Sequence, residues 1–297
     1  MNTLTRLAAV SLLLAPAAGA VETAAFLNVG GGARALALGS AYTALGADAN
    51  SLYWNPAGIA GLEKRQVTLS HAELTQKTRQ QFFGYAHPTS NGTFGASLSY
   101  LSHSKIDGRD AAGRPTSGFE ASDAVVGVSY GRKTELADLG ATIKYIRTHI
   151  GSAEAQTFAL DAGARKPLGS FILGATIRNL GPGLKFDSER NDLPLRLALG
   201  AAYKLAGGHA VAAEITNGPR GAGSDAGIGG EFQAVKNVFL RGGYTTLSRV
   251  PGGSSFDAAR GLTLGVGFNN RRWSLDYAAV TMGELGSAHR FTFGARF

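Results

Sequence analysis

Beyond residue 64 the chain alternates apolar and polar residues one by one, the period of a β-strand whose two faces meet different surroundings. Leu195, Leu197, Leu199, Ala201 and Tyr203 share one face, while Arg196, Ala198, Gly200, Ala202 and Lys204 share the other. Trp273, Leu275, Tyr277 and Ala279 oppose Arg272, Ser274 and Asp276 in the same way, and Phe158, Leu160, Ala162 and Ala164 oppose Thr157, Asp161, Gly163 and Arg165. Fourteen stretches can be drawn as strands: Arg65–Glu73, Gln80–His87, Thr93–Ser102, Ser122–Gly131, Leu139–His149, Ala155–Lys166, Ser170–Asn179, Leu193–Lys204, His209–Thr216, Asp225–Val235, Asn237–Thr246, Gly261–Asn269, Arg272–Val280 and Ala288–Phe297. Most reach roughly 8–12 residues, about the length a tilted strand needs to cross a bilayer. An even number places the first and last strands antiparallel and lets the sheet close on itself. Thr89-Ser-Asn-Gly92 and Asn269-Asn270 read as tight turns, and Ile106–Phe119, Gly181–Asp192 and Ser248–Ala259 as longer polar loops. In a membrane barrel the tight turns face the periplasm and the long loops the exterior.

The pattern is different before Leu62. Ala33 to Ala47 is rich in alanine and leucine and predicts a helix; Asp48-Ala-Asn-Ser51 is turn or capping chemistry; Ser51 to Ala60 predicts a second, short helix broken at Pro56. Further upstream, one positive charge in Met1–Arg6, the apolar run Leu7–Leu14 and the small residues Ala18-Gly-Ala20 form an export signal with a mature start near Val21. The run is too short to span a bilayer as a helix. The expected organisation is therefore a signal peptide over 1–20, a plug over 21–62 and a barrel over 63–297.

Period two alone also fits a soluble sandwich, in which a second sheet would cover the apolar faces. Three features turn the reading toward lipid. The export signal is one. The second is the ending: Phe291, Phe293, Ala295 and Phe297 point one way and Arg290, Thr292, Gly294 and Arg296 the other. Aromatics on an unpartnered strand end would invite aggregation in water but suit a lipid-facing surface. The third is composition. Glycine occurs 42 times in 297 residues, about twice the usual share, and it falls among apolar residues as in Gly261-Leu-Thr-Leu-Gly-Val-Gly-Phe268. Small residues on the polar face leave space inside a barrel, which the N-terminal segment can fill. Tyr100, Tyr130, Tyr145, Tyr203 and Tyr244 are placed for interfacial girdles. The net charge of +8 is spread singly, without Lys/Arg runs, so it reads as lumen and loop charge and not as a nucleic-acid footprint. There is no cysteine, which excludes a disulfide scaffold and an N-terminal lipid anchor on cysteine.

Two stretches carry resemblances. The terminal strand with Phe291, Phe293 and Phe297 resembles the ending by which Gram-negative outer-membrane barrels are recognised for insertion, which implies the barrel-assembly machinery as a partner. The segment Phe26 to Gly61 is more specific. Its glycine-arginine-alanine opening, its core Leu38-Gly-Ser-Ala-Tyr-Thr-Ala-Leu-Gly-Ala-Asp-Ala-Asn-Ser-Leu-Tyr-Trp-Asn-Pro-Ala-Gly58 and its Asn-Pro-Ala-Gly tail resemble the PorV/PorQ family of outer-membrane proteins, related to FadL-type transporters of long-chain fatty acids. The resemblance implies a barrel of about 14 strands with an N-terminal helical plug, whose tip is formed by Asn55, Pro56, Ala57 and Gly58. It implies a shuttle or scaffold associated with type IX secretion, with secreted cargo proteins and secretion-system components as partners. FadL-like passage of hydrophobic small molecules is the alternative. Physical reasons for the tip residues exist beside the resemblance. Pro56 stops a helix, Asn55 can bond the backbone freed there, and Gly58 and Gly61 permit close approach to the wall.

Other motifs lead elsewhere and are weaker. Gly30-Gly-Gly-Ala-Arg-Ala35 has the form of a dinucleotide loop, but no βαβ unit surrounds it. Gly127-Val-Ser-Tyr-Gly131 has the form of a nucleophile elbow, but a strand end follows Ser129 where a helix is needed. The six histidines lack helix i,i+4 pairs and no carboxylate cluster accompanies them, and Asp107-Gly-Arg-Asp110 is an incomplete calcium loop. No cofactor, no metal and no enzymatic activity are expected.

Overall fold

Alternation is realised as a closed antiparallel cylinder in the computed structural model, which describes residues 24–104, 106–109, 113–187, 189–220, 223–246, 260–282 and 286–297. The elements in chain order are β1 Gln66–Glu73, β2 Arg79–Thr89, β3 Gly92–Ser102, β4 Ile106–Arg109, β5 Pro115–Phe119, β6 Ala121–Lys133, β7 Asp138–Ile150, β8 Ala153–Leu168, β9 Phe171–Leu180, β10 Leu184–Phe186, β11 Glu189–Asn191, β12 Arg196–Lys204, β13 Ala210–Gly218, β14 Gly223–Val235, β15 Val238–Thr245, β16 Leu262–Asn269, β17 Trp273–Thr281 and β18 Ser287–Arg296. Two pairs, β4–β5 and β10–β11, are hairpins within loops, and the other fourteen strands close the barrel by pairing β18 with β1. The closing register sets Leu69 beside Phe293 and Gln66 beside Arg296. Reciprocal backbone bonds between Arg65 and Phe297 complete the seam. All fourteen barrel strands coincide with stretches that the alternation marks, with ends shifted by a few residues.

The outer face is apolar from strand to strand. Val128, Ile143 and Leu160 lie side by side across β6, β7 and β8, all at least half exposed. Leu199 and Ile215 are neighbours across β12 and β13, and Leu275 and Phe293 across β17 and β18. Among the described residues no helix is long and apolar enough to cross a membrane. Aromatic pairs stand on the outer surface near strand ends, Phe94 with Tyr130 and Phe268 with Trp273. Tyr145 departs from the expected girdle, since it lies in the middle of β7.

One rim carries only short connections, such as the two-residue turn between Thr89 and Gly92 and the Asn270 turn, whose side chain accepts from the Arg272 and Trp273 amides. The long connections are at the other rim, which in an outer-membrane barrel faces outward. There the 181–195 loop turns inward: Leu184 and Leu193 are buried together with Leu27, Val125 and Ile146. The loop 248–259 and the export signal over 1–20 lie outside the described residues.

The N-terminal segment from residue 24 fills the lumen, but less of it is helical than its composition predicts. The helix expected over Ala33–Ala47 is confined to Ala33–Ala37. Gly39 and Ser40 take positive φ and end it. The second helix is a single turn, Ser51–Trp54, followed by a 3-10 turn, Pro56–Ile59. The cause lies in the wall, whose side chains satisfy plug backbone groups that a longer helix would otherwise have to pair internally.

A plugged and charged lumen as the candidate functional site

Glycine on the inner wall is what lets the plug backbone lie directly against the strands. A Cβ on Gly174 would come within 2.5 Å of the Thr43 carbonyl oxygen and 2.7 Å of the Ala44 Cα. Gly140 faces the Pro56–Ala57 peptide, and Gly229 and Gly243 face Leu38, all too closely for any side chain. Gly58 is close to Ser51 and the Gly46 carbonyl and so serves contacts within the plug. Gly61, expected to approach the wall, has open space around it. The hydrophobic part of the seat is Leu38, Tyr42, Leu45 and Trp54 against Ile172, Ala202 and Ala212.

Buried polar groups then fix the plug's position. Asn55 is fully buried and makes three bonds. Its Oδ1 accepts from the Ala57 amide at 3.0 Å, and its Nδ2 donates to the Thr43 carbonyl at 2.7 Å and to Ala164 of β8 at 3.2 Å. Pro56 opens the 3-10 turn that Asn55 caps. The Tyr42 and Thr43 amides both donate to Glu214 Oε2, at 3.0 and 2.9 Å. Arg165 Nε donates to the Ala44 carbonyl at 2.9 Å while its Nη1 pairs with Asp138. Arg290 Nη1 donates to the Gly30 carbonyl at 2.8 Å and Nη2 to Gln80 Oε1 at 2.6 Å. The Ala33 amide donates to Thr292 at 2.8 Å.

The strongest electrostatic link is a chain of alternating charge. Arg34 grips Glu231 with both Nε and Nη2 at 2.8 Å. Glu231 also accepts from Arg241 Nε at 2.6 Å, and Arg241 Nη1 donates to Asp276 at 2.7 Å. Bidentate guanidinium–carboxylate geometry is the strong form of such contacts. Beside it the Tyr42 hydroxyl donates to Asp48 at 2.6 Å. Burial above all, with Asp48 adding to it, raises the Tyr42 phenol well above its ordinary value, so it stays a neutral donor.

Toward the long-loop rim the plug leaves a crevice between Ser40, Trp54, Arg178, Arg196, Glu214 and Asp225. Its free volume is about 30 Å³, room for roughly two waters. Arg196 pairs with Asp225. Arg178 is 8% exposed and stacks over Trp54, with Cζ 5.5 Å from the ring centroid, and over Tyr53 at 6.0 Å. Next to it β9 is irregular: Asn179 has φ 62° and its amide donates to Asp161 at 2.8 Å, where the β8–β9 register shifts.

Of the residues singled out by sequence, Asn55, Pro56, Ala57 and Gly58 are thus gathered at the seat of the plug. Phe291, Phe293 and Phe297 are exposed on the outer face, far from that seat in character. Ser129 is a buried mid-strand residue whose hydroxyl shares a hydrogen bond with Thr142. The Gly30–Gly32 turn packs on Trp54, Tyr53 and Asn50. Alternation puts Asp276 on the polar face, but its link to Arg241, and the roles of Arg34, Glu231, Arg241 and Arg178, were not anticipated. Their signal was available: each wall member sits in the inward phase of its strand, as Glu231 does between Gly230 and Phe232.

The family model described as Type IX secretion system protein PorV matches residues 17–213. No curated protein matches the chain in sequence. Solved barrels share the fold. The Pseudomonas putida toluene transporter TodX superposes with a TM-score of 0.63 at 14% identity, covering 94% of this chain and 98% of that one. A Pseudomonas aeruginosa FadL homologue gives 0.56 at 13% identity, covering 96% and 99%.

Proposed function

The chain belongs to the PorV family of type IX secretion system proteins and is an outer-membrane β-barrel, and from this premise we propose that it is a binding module that receives exported proteins and passes them to the secretion or surface-attachment machinery. One observation supports this over passage of small hydrophobic molecules. The plug is seated backbone against wall, with ion pairs and hydrogen bonds on several sides. A route through such a lumen would require breaking buried, charge-assisted contacts, each costly to leave unpaired. A binding module needs no such route and can work with its rim. The loop hairpins β4–β5 and β10–β11 give that rim ordered, polar surfaces, where Lys185, Glu189 and Arg190 are exposed.

FadL-like transport is the second reading, favoured by the overall likeness to a toluene transporter. Affinity capture of the tagged barrel from detergent-solubilised membranes separates the two. Recovery of secreted proteins that share a C-terminal domain, together with secretion components, supports the binding module. A preparation that carries none of them, and holds a lipid-like molecule at the plug, would refute it.

A further inference from the structure

Arg178 is the observation that the packed lumen does not account for. It is more than nine-tenths buried, yet among the described residues its guanidinium makes no hydrogen bond, and its Nε is a buried donor without an acceptor. Its neighbours are aromatic rings, Trp54 and Tyr53. Of the carboxylates nearby, Glu214 lies within charge range of Arg178 but spends its hydrogen bonds on the Tyr42 and Thr43 amides and on Thr216, and Asp225 pairs with Arg196. A buried cation lacking an acceptor is expensive. A guanidinium offers a planar fork that matches a carboxylate.

We propose that Arg178, with Trp54 as its platform, is a receptor for a peptide carboxylate that enters the crevice from the long-loop rim. This rests on the reading of the barrel as a module that receives exported proteins, and it names the group such a protein would present. Size fits the assignment. A free volume of about 30 Å³ takes a head group about the size of two waters. The crevice therefore reads the end of a ligand while the rest stays at the rim. Charge fits as well, since Arg178 lines the crevice with no donor committed to a protein oxygen among the described residues.

The test uses tryptophan emission. The chain has two tryptophans, and Trp273 stands on the outer face stacked on Phe268, so Trp273→Phe leaves Trp54 as the reporter. The purified full-length barrel in detergent is titrated with N-acetyl-trialanine as the free acid, with its C-terminal amide, and with octanoate. The expected result is a saturable change of Trp54 emission with the acid, about tenfold or more weaker with the amide. Arg178→Gln should remove the response, and Arg178→Lys should retain only part of it. Heat-modifiable gel mobility shows that each variant is a folded barrel. Equal responses to acid and amide, or a response indifferent to Arg178→Gln, overturn the proposal. Binding of octanoate without the peptide acid overturns it too, by assigning the site to a lipid carboxylate. The two readings fail separately. Capture that recovers no secreted protein, beside an Arg178-dependent peptide response, removes the shuttle and leaves the site. Successful capture with an indifferent Arg178 does the reverse.

Discussion

Replacing Gly174 with alanine tests whether wall glycines seat the plug. The new Cβ would stand 2.5 Å from the Thr43 carbonyl oxygen and 2.7 Å from Thr43 C and Ala44 Cα. Ordinary contact needs about 3.4–4 Å, so the plug backbone must retreat by roughly 1 Å. Wall and plug meet here backbone to backbone, and no flexible side chain can yield instead. That retreat acts on contacts now at 2.7 to 3.0 Å: Asn55 to the Thr43 carbonyl, Glu214 to the Tyr42 and Thr43 amides, and Arg165 to the Ala44 carbonyl. Lengthened by about 1 Å, they cease to be hydrogen bonds. Overpacking of a tight interior costs about 1–3 kcal/mol, which corresponds to roughly 5- to 150-fold in the ratio of seated to unseated plug. Hydrogen exchange of the Thr43 and Ala57 amides in the folded barrel reads that ratio through local opening. Both should speed up by a factor in this range while the strand amides keep their protection. Gly230→Ala, whose Cβ would meet nothing nearer than 3.9 Å, is the control and should leave the plug amides unchanged. Plug amides that exchange no faster in Gly174→Ala than in the control would refute the seating argument.

Three further outcomes follow from the same contacts. Glu231→Gln leaves Arg34 and Arg241 facing a neutral amide; losing one member of a buried ion pair costs about 3–5 kcal/mol, and thermal unfolding in detergent should drop while Glu73→Gln, at an exposed site, changes little. Asn55→Asp keeps the acceptor for the Ala57 amide but removes the donor to Thr43 and Ala164, so it should raise plug exchange about as much as Asn55→Ala; rescue by aspartate would reduce Asn55 to a simple cap. Ile143→Lys puts a charge on the half-exposed apolar face between Val128 and Leu160, where about 2–4 kcal/mol is lost near the bilayer midplane; refolding into vesicles should show it, and a neutral effect would argue that lipid does not cover this face.

Strands were legible because lipid and lumen impose opposite demands on successive residues. Each of the fourteen carries that record in its own sequence, down to Arg196 and Leu197 facing opposite ways. The plug's conformation was not legible. Ala33–Ala47 has helical composition, but Gly39 and Ser40 take positive φ and Glu214 takes the amides of Tyr42 and Thr43, so tertiary partners override propensity. The loop hairpins were missed because strands of three to five residues leave too little alternation to read. The Asn-Pro-Ala-Gly turn could be singled out locally, since capping and proline act within a few residues. The charge chain could not. Arg34 and Glu231 are 197 residues apart, and only closure of the barrel brings them together. Gly61 shows the opposite error, a local rule applied where the fold leaves open space.

The plug is also on a short leash. Ile59 is buried against Gly131, and Arg65 is already bonded into the seam at the turn rim, so residues 60–64 are the whole tether. Fully extended, those residues reach about 17 Å, less than the roughly 25 Å height of the apolar band of such barrels. A plug that left its seat as one body would therefore stay within that reach of the turn rim, short of the outer mouth.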